Sequence, residues 1–504
     1  MENNRRDFLK LTGFAGLAGL GIAGIGIAGA TLVPGCAPAK KGQSVPDSTR
    51  EQAMKKHTRQ FNMNGYAAPK LDTVRIGFVG LGNRGFEIAK ILTMIEGVEF
   101  KAICDLRPEK AEAAKEMLKS AGHHPEIYTS GEEEWKKMCD RNDIDVVYID
   151  TPWKLHTPMA VYAMNQGKHV CVEVPAATTL EECWQLVETS ERTRKHCMMM
   201  ENACYGFFEL LVLNMARQGF FGEIIHAEGA YIHDLLAGNF AKDKYYNMGR
   251  LKENMTRNGN LYPTHGLGPV CQVMNINRGD KMDYMVSISG NDFMMGDLAK
   301  KLASTDHFYD PYVGKSYRGN MNTTTIRTIK GRTIVLQHDV TSPRQHVDNY
   351  MISGTKSTAF HYPLPGQIFI ASDFLPLTPR IWDTSPNHEP VSEKEYKALE
   401  EKYNPEIVKK IGEMATDIGG HGGMDFLLNW RTIDCFRNGL PLDQDVYDAA
   451  LWSSIAPLSE WSVANRATIE VPDFTCGAWE TNQPGIDIEL KRGGTTKVVK
   501  GVVK

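Results

Sequence analysis

Short apolar runs alternate with amphipathic stretches through residues 71–204. The strand-like runs are residues 74–79, 98–104, 146–149 and 169–174. Apolar positions at helical spacing fall between them, at residues 86–95, 110–121 and 158–166. Thr179 and Glu182 have the spacing of a capping box that opens a further helix. The alternation predicts an α/β fold whose N-terminal part is a doubly wound parallel sheet of the Rossmann type.

The pattern changes after about residue 205, where longer strand-like runs are separated by loops. These runs are residues 223–232, 282–289, 323–329, 333–338, 350–353 and 367–370. They predict a C-terminal α+β domain, residues 205–485, built on a large and mostly antiparallel sheet. Amphipathic helices at residues 424–437 and 446–465 are expected to pack back on the core, and residues 486–504 read as a solvated basic tail.

Arg5 and Arg6 lie near the start of the chain and are followed by an apolar, glycine-rich stretch at residues 11–33. This order is typical of a twin-arginine signal peptide, which we place at residues 1–36. A transmembrane anchor is the alternative, although the eight glycines from Gly13 to Gly35 each cost a helix about 1 kcal/mol relative to alanine. Cys36 ends a segment that resembles a lipoprotein cleavage box except for Pro34, so lipidation and simple cleavage both stay open.

These features predict export through the twin-arginine machinery to the periplasm of a bacterium, or lipid anchoring at its envelope through Cys36. Residues 37–70 would then be a polar tether that packs on the surface at most in part. The net charge of −4 leaves no broad basic surface, which argues against nucleic acid as a partner and favours a small molecule or glycan. The ten cysteines show neither paired nor zinc-like spacing, so no disulfide framework and no metal site are expected.

The segment Gly80-Leu81-Gly82-Asn83-Arg84-Gly85 is a dinucleotide-binding fingerprint, since it follows a strand and opens a helix. Gly80 suits the tight turn, Gly82 the approach of the pyrophosphate, and Gly85 close helix packing. Asp105, at the end of the second strand, is placed to accept hydrogen bonds from the adenosine ribose. A carboxylate there favours NAD over NADP, although Arg107 leaves NADP open.

Two further segments, 151–156 (Thr-Pro-Trp-Lys-Leu-His) and 173–175 (Glu-Val-Pro), resemble the glucose-fructose oxidoreductase and inositol dehydrogenase superfamily. Many members of that superfamily carry a lysine where this chain has Val174, and the lysine assists proton removal from the substrate hydroxyl. Because Val174 cannot ionise, the acid/base chemistry has to come from other residues.

His265 is the first candidate for that chemistry, because an imidazole between Pro263 and Gly266 can take a hydroxyl proton near neutral pH. The alternative is a histidine at a helix start that only bonds the backbone. Tyr231 and His233 alternate on one predicted strand and so share a face. From the residues alone they are as readily core or interface positions as catalytic ones.

Taken with residues 421–426 and 437–443, these segments resemble glycoside hydrolase family 109 from about residue 65 to residue 474. The resemblance implies the family's α-N-acetylgalactosaminidase activity, with NAD contacts at Asn83, Arg84, Asp105, Trp153, His156, Glu173, Val174, Asn202 and Tyr262. It implies substrate contacts at Glu201, Tyr231, Arg250, Tyr262 and His265. The family tends to have a tyrosine where this chain has His346, so His346 is a further substrate-contacting candidate that could alter which sugar is accepted.

The resemblance also implies a reaction with no net redox change: oxidation at C3 of the sugar, elimination at C1, water addition and re-reduction. His265 would take the O3 proton, and Tyr231 or His233 would take the C2 proton. A tightly bound, recycled NAD suits an exported enzyme. The alternatives are an exported NAD-dependent sugar dehydrogenase that forms a keto-sugar, and a non-catalytic sugar-binding protein. A homo-oligomer is expected by analogy only.

Overall fold

The computed structural model describes residues 47–371 and 389–499. The predicted signal peptide, Cys36 and the first part of the predicted tether lie outside the described residues. The last five residues, 500–504, lie outside them too.

A six-stranded parallel sheet forms the N-terminal part, with strand order β3-β2-β1-β4-β5-β6. Its strands are β1 (Val74–Val79), β2 (Val98–Cys104), β3 (Glu126–Tyr128), β4 (Val146–Ile149), β5 (His169–Val172) and β6 (Cys197–Met199). All neighbours pair in parallel. The doubly wound α/β prediction is confirmed, although the short outer strands β3 and β6 escaped it because three residues carry too little periodicity.

Helices link and cover the strands. They are α1 (Ser48–Met54), α2 (Asn83–Leu92), α3 (Pro108–Ser120), α4 (Glu134–Cys139), α5 (Trp153–Asn165), α6 (Leu180–Thr193), α7 (Phe207–Arg217), α8 (Leu236–Phe240), α9 (Tyr245–Thr256), α10 (Thr264–Met274), α11 (Met295–Ala303), α12 (Glu393–Tyr403), α13 (Glu406–Ile418), α14 (Met424–Asn438) and α15 (Val446–Asn465). The capping box of Thr179 and Glu182 is present at the start of α6. Helix α5 starts five residues before its predicted beginning, because Pro158 is accommodated inside the helix rather than at its start.

The C-terminal part contains an eight-stranded sheet of order β13-β12-β11-β7-β10-β9-β8-β14. Its strands are β7 (Ile224–Ile232), β8 (Met282–Ser289), β9 (Asn322–Thr328), β10 (Thr333–Asp339), β11 (Met351–Gly354), β12 (Ser357–Phe360), β13 (Gln367–Ile370) and β14 (Ile469–Glu470). Only β7 and β10 pair in parallel; the other neighbours are antiparallel, as predicted.

Helix α10 lies unusually close to strand β7. A Cβ atom at Gly229 of β7 would overlap the carbonyl oxygen of Gly266, and one at Gly266 would overlap the backbone of Ala230. Glycine at both positions therefore allows the helix and strand backbones to touch. This contact brings His265, next to Gly266 on α10, beside Tyr231 of β7.

Helix α15 joins the two sheets. It packs against α6 and β6 of the parallel sheet and against β8 of the second sheet. It packs on the core as predicted, but it is buried on nearly every side, so it is an apolar core helix with an exposed end rather than an amphipathic one.

The tether and tail expectations change where the structure describes them. Met63, within the predicted polar tether, is buried, and Gln60 donates its backbone N–H to Glu191 at 2.6 Å. Near the other end of the chain Ile488 is buried, and the carbonyl oxygen of Thr496 accepts a hydrogen bond from the Trp430 indole at 3.1 Å. Residues 47–70 and 486–499 therefore pack on the core, because isolated apolar residues among their polar ones find partners that charge patterning does not reveal.

All nine cysteines within the described residues are free thiols, and eight of them are buried. Burial raises the pKa of these thiols, for example that of Cys104 to about 12. In residues 47–371 and 389–499 no helix is both long enough and apolar enough to cross a membrane.

Candidate active site

The glycine-rich turn lies at the carboxyl edge of the parallel sheet, between β1 and α2. Gly80 has φ +93°, and a Cβ there would overlap the carbonyl oxygen of Asp150. A Cβ at Gly85 would overlap the carbonyl oxygen of Gly80. At Gly82, in contrast, a Cβ would meet only an Arg107 guanidinium nitrogen, at 3.7 Å. Gly80 and Gly85 are therefore needed for the turn itself, whereas the space beside Gly82 is open to a ligand.

Asp105 lies directly beside this turn. Its Oδ2 accepts a hydrogen bond from the Leu81 N–H at 2.7 Å, and its Oδ1 accepts one from the Arg107 side chain at 3.0 Å. A carboxylate has lone pairs for further acceptor bonds, so ribose hydroxyls can still be bound. The pairing compensates the Arg107 charge, which favours a cofactor without a 2′-phosphate.

Arg84 and Asn202 converge on one carboxylate, that of Asp425, and Arg84 also binds Glu173. Arg84 donates to Glu173 at 2.7 Å and to both Asp425 oxygens, at 2.5 and 2.9 Å. Asn202 donates to Asp425 at 2.8 Å. Burial acts to raise the pKa of Asp425, but hydrogen bonds from His421 and Arg84 hold that pKa well below its usual range. Two of the predicted NAD contacts, Arg84 and Asn202, are thus tied to a permanently charged aspartate, and a third, Glu173, is held by Arg84.

The other predicted cofactor contacts occupy different environments. Asn83 is exposed at the first position of α2, and Val174 is 5% exposed. His156 is 1% exposed, with Nδ1 bonded to the Pro175 carbonyl at 2.7 Å and Nε2 to the Thr151 carbonyl at 2.6 Å. Each ring nitrogen of His156 therefore lies against a backbone carbonyl, and whichever one carries the proton donates to it, so the ring is directed at the backbone and not at the expected NAD contact.

Tyr231, Tyr262 and Trp153 pack together in what we call the aromatic wall. The rings of Tyr231 and Tyr262 lie 4.5 Å apart between centroids, and Trp153 at the start of α5 lies 5.9 Å from Tyr262. The Arg250 guanidinium lies 4.9 Å from the Tyr262 centroid and 4.4 Å from that of Tyr245. Among the described residues no carboxylate forms an ion pair with Arg250, so the wall holds a cation within an aromatic cage.

Burial raises the pKa of Tyr231, and the positive charge of Arg250 opposes that shift without cancelling it. The same two influences act on Tyr262, whose pKa lies well above the ordinary value. Both phenols therefore carry their protons at neutral pH.

Glu201 and His265 form a hydrogen-bonded pair beside the aromatic wall. Glu201 is fully buried, and its Oε1 lies 2.6 Å from Nδ1 of His265. Burial acts to lower the pKa of His265, but the charge and hydrogen bond of Glu201 outweigh it, so the pKa is raised above 6.5. With Nδ1 held by the carboxylate, Nε2 is the nitrogen that can accept a substrate proton. The alternative of a histidine bonded only to backbone does not hold.

His233 and His346 lie at the edge of the same wall. Their ring centroids are 4.4 Å apart, and each ring lies 6.0 Å from Tyr231. Nε2 of His346 lies 3.6 Å from a carboxylate oxygen of Asp348. Burial, followed by the His346 charge, lowers the pKa of His233, which is therefore neutral at pH 7. The structure thus brings together all the substrate-side candidates of the sequence.

The aromatic wall also lines a small cavity. Its lining includes Trp153, Tyr231, Arg250, Tyr262, Asn239 and His338. Asn239 and His338 had no role in the sequence interpretation, and neither did Asp425. Asp425 lies in the segment 421–426 that carried the family resemblance, so the sequence did point to this segment although not to the aspartate itself. Asn239 has no local sequence signal.

The residues at the sheet edge fit NAD. The open space beside Gly82 adjoins the first turn of α2, which lacks a side-chain cap and so has free N–H donors for phosphate oxygens. The Asp105 carboxylate lies beside the turn, bonded to the Leu81 N–H. The individual contacts with NAD and sugar stay predictions.

Two family models match the chain. An oxidoreductase family model described as an NAD-binding Rossmann fold matches residues 74–201. The model for the C-terminal domain of glycosyl hydrolase 109 matches residues 205–481. The N-terminal part is therefore an NAD-binding Rossmann fold and NAD is its cofactor.

Similar proteins of known name agree with these matches. An alpha-N-acetylgalactosaminidase from Bacteroides fragilis is 46% identical over 427 residues, which cover 84% of this chain and 96% of that protein. One from Shewanella oneidensis is 45% identical, covering 83% of this chain and 89% of that protein.

Solved structures share the fold at low identity. A levoglucosan dehydrogenase in complex with NADH and levoglucosan aligns with TM-score 0.55 and 18% identity, covering 80% of this chain and all of that one. A scyllo-inositol dehydrogenase from Lactobacillus casei with bound NAD(H) and scyllo-inositol aligns with TM-score 0.53 and 15% identity, covering 79% and 99%. With the family model over more than half its length and relatives of this identity, the chain belongs to glycosyl hydrolase family 109.

Proposed function

We propose that this enzyme hydrolyses terminal α-N-acetylgalactosaminides by transient oxidation of the sugar at C3. The carrying observation is the hydrogen bond between Glu201 and His265, which supports a role for His265 as general base. The names of the Bacteroides and Shewanella relatives supply the sugar and the anomer.

His265 begins the reaction by accepting the O3 proton at Nε2, while Glu201 fixes the tautomer and stabilises the imidazolium. Bound NAD⁺ supplies the oxidising power at C3 and, once reduced, restores the original oxidation state at the end of turnover. Val174 contributes no proton, since its side chain is apolar.

The C3 ketone acidifies the hydrogen at C2, and a second base has to remove it. His233 is suited to this step because it is neutral, whereas Tyr231 retains its phenolic proton and suits donation to the departing glycosidic oxygen. The C1–O bond breaks by elimination to give an enone, and water then adds to C1 while C2 is reprotonated. Neither step needs the carboxylate pair of ordinary glycosidases.

The envelope is the proposed location, reached by the twin-arginine route that Arg5 and Arg6 indicate, with Cys36 as the site of lipid attachment if the chain is anchored. Because folded proteins use that route, NAD can be loaded in the cytoplasm. A tightly bound cofactor that is regenerated in each turnover needs no external pool. The proposed partners are a terminal glycan and a second copy of the chain.

The first experiment is cleavage of a panel of aryl glycosides, led by the α-N-acetylgalactosaminide, in deuterated water. One deuterium at C2 of the released sugar supports oxidation followed by elimination. Release of sugar without deuterium contradicts that route, and accumulation of a keto-sugar without cleavage would identify a dehydrogenase instead.

A further inference from the structure

Asn239 on helix α8 places an amide in the cavity behind the aromatic wall. Its side chain is 1% exposed, and neither its Nδ2 nor its Oδ1 has a hydrogen-bond partner in the structure. A buried amide with both groups unmet is unusual, because native proteins pair nearly all such groups. The cavity thus contains one free donor and one free acceptor side by side.

The position of Asn239 is fixed by its surroundings. The Asn239 N–H donates to the Leu235 carbonyl at 2.8 Å, which anchors the start of α8. At the end of α8, the Phe240 carbonyl accepts a hydrogen bond from the Tyr309 hydroxyl at 2.8 Å, and the Phe240 ring packs against Tyr309 and Tyr317. The amide is therefore held on a rigid support and can select a ligand by its hydrogen bonds.

The neighbouring polar groups of the cavity offer Asn239 no substitute partner. Asn254 is satisfied on both sides, since it donates to the Arg250 carbonyl at 2.8 Å and accepts from Arg318 at 3.0 Å. His338 is neutral, because burial and then the Arg318 charge hold its pKa well below 6.5, and its Nδ1 is also unpartnered. Apart from these groups and Arg250, the lining is aromatic or aliphatic, so the cavity offers surroundings that suit an apolar methyl beside a polar amide.

We infer that Asn239 recognises the 2-acetamido group of the sugar, its Oδ1 accepting from the acetamide N–H and its Nδ2 donating to the acetamide carbonyl. This rests on the proposed function for the presence of an N-acetylated sugar. Tyr231, Arg250 and Tyr262 line the same cavity and are the predicted substrate contacts, so a sugar against them can extend its C2 substituent toward Asn239. The carboxamide of nicotinamide has the same chemistry and is the competing source of an amide.

The test measures binding of N-acetylgalactosamine and of galactose to the NAD-loaded protein by calorimetry. We expect the wild type to prefer the acetamido sugar and Asn239→Leu, which keeps the volume but removes both hydrogen bonds, to lose roughly 10- to 100-fold of that preference. Asn239→Asp retains the shape and an acceptor, so it should lose part of the preference and serves if the leucine variant fails to fold.

Asn260 provides a matched control, since it is also 1% exposed with both amide atoms unpartnered but does not line the cavity. Asn260→Leu should affect the two sugars equally. Equal weakening of both sugars by Asn239→Leu would overturn the inference in favour of a purely structural role. A loss of bound NAD with the sugar preference intact would assign the amide to nicotinamide, and the absence of a preference in the wild type would also overturn it.

Failure of the proposed function has a different signature. If the wild type prefers N-acetylgalactosamine and Asn239→Leu removes that preference, but no aryl N-acetylgalactosaminide is cleaved, then acetamide recognition stands and the hydrolytic function does not.

Discussion

Two regions of this enzyme differ in how their charges are paired. The cofactor edge is the Gly80–Gly85 turn with the ion pairs around it, and the substrate wall is the aromatic wall with Arg250 and the histidines beside it. At the cofactor edge, Arg84 is neutralised by Glu173 and Asp425, and Arg107 by Asp105. On the substrate wall, Arg250 lies among aromatic rings without an ion pair to any described carboxylate. In the first region each arginine is paired with a carboxylate, which suits a region that holds the cofactor. In the second region the Arg250 charge is unpaired and the histidines can exchange protons, which suits a region where the substrate reacts.

The two regions also differ in what pH can change. The pKa of Asp425 is held far below neutrality, so the cofactor edge keeps its charge across the working range. On the wall, the pKa of His265 is raised above 6.5 against burial, mainly by the Glu201 charge, and that of His233 is lowered by burial, so the two histidines respond to pH differently. NAD retention should therefore be nearly independent of pH while turnover is not.

Removing His265 should produce the largest difference between the effect on turnover and the effect on NAD binding. His265→Ala removes the proposed base for the O3 proton, and we expect kcat to fall by about 10²- to 10⁴-fold, the range for loss of a general base. Bound NAD, measured by absorbance after release from the purified protein, should be unchanged. Turnover close to that of the wild type in this variant would contradict the assignment of His265.

Neutralising Glu201 should move the pH profile. In the wild type, kcat/KM should fall on the acid side through the raised pKa of His265, because the imidazole must be neutral to act as a base. In Glu201→Gln the burial of His265 still lowers its pKa but the carboxylate no longer raises it, so the acid limb shifts to lower pH. We also expect roughly a tenfold loss at neutral pH, since a charged partner contributes about 1.5–3 kcal/mol to a hydrogen bond.

An unshifted acid limb in Glu201→Gln would assign that limb to another group, and His233→Ala separates the two possibilities. Its own pKa lies below the ordinary value, so the limb it controls would lie at lower pH than that of His265. Loss of C2 deuterium incorporation in His233→Ala would support its role at C2, and full incorporation would transfer that role to Tyr231.

Asp425→Asn should affect the other region alone. The substitution keeps the size of the side chain but removes the charge that holds Arg84 and Asn202, so we expect NAD affinity to fall about tenfold, as for one charged hydrogen bond. With saturating NAD, the acid limb of kcat/KM should stay where it is in the wild type. A shifted limb would show that the two regions are coupled.

The sequence was most informative where function depends on a short stretch of backbone. The Gly80–Gly85 turn could be predicted because steric requirements act between residues that are close along the chain. The ion pair between Arg84 and Asp425 could not be predicted, because the two residues are 341 positions apart. Their contact arises only when α14 packs against α2.

The substrate wall was predictable chiefly through family resemblance. Alternation along β7 indicated that Tyr231 and His233 share a face, but not that α10 would approach closely enough to bring His265 to them. That approach depends on Gly229 and Gly266, which lie on separate elements and have no common motif. Asn239 was missed for a related reason, because an asparagine on a five-residue helix resembles any surface turn until its burial is seen.

The smallest expected effect concerns His346, where the family tends to have tyrosine. Its ring lies 4.4 Å from His233 and 6.0 Å from Tyr231 between centroids, so its charge state influences the C2 step and its size influences the fit of the leaving group. His346→Tyr removes a titratable neighbour that lowers the pKa of His233, so that pKa should rise slightly. We expect a change of a few fold in kcat/KM across a panel of aryl leaving groups, as is usual for loss of one contact at an exposed site edge.

His346→Phe serves as the control for ring size without a hydroxyl. If both variants change leaving-group preference alike, the shape of the ring sets the preference. If only tyrosine does so, its hydroxyl contacts the substrate directly. Identical preferences in all three proteins would show that His346 does not contact the substrate. The substrate wall would then consist of Tyr231, Arg250, Tyr262 and His265, and selectivity would depend on the interior cavity rather than on His346.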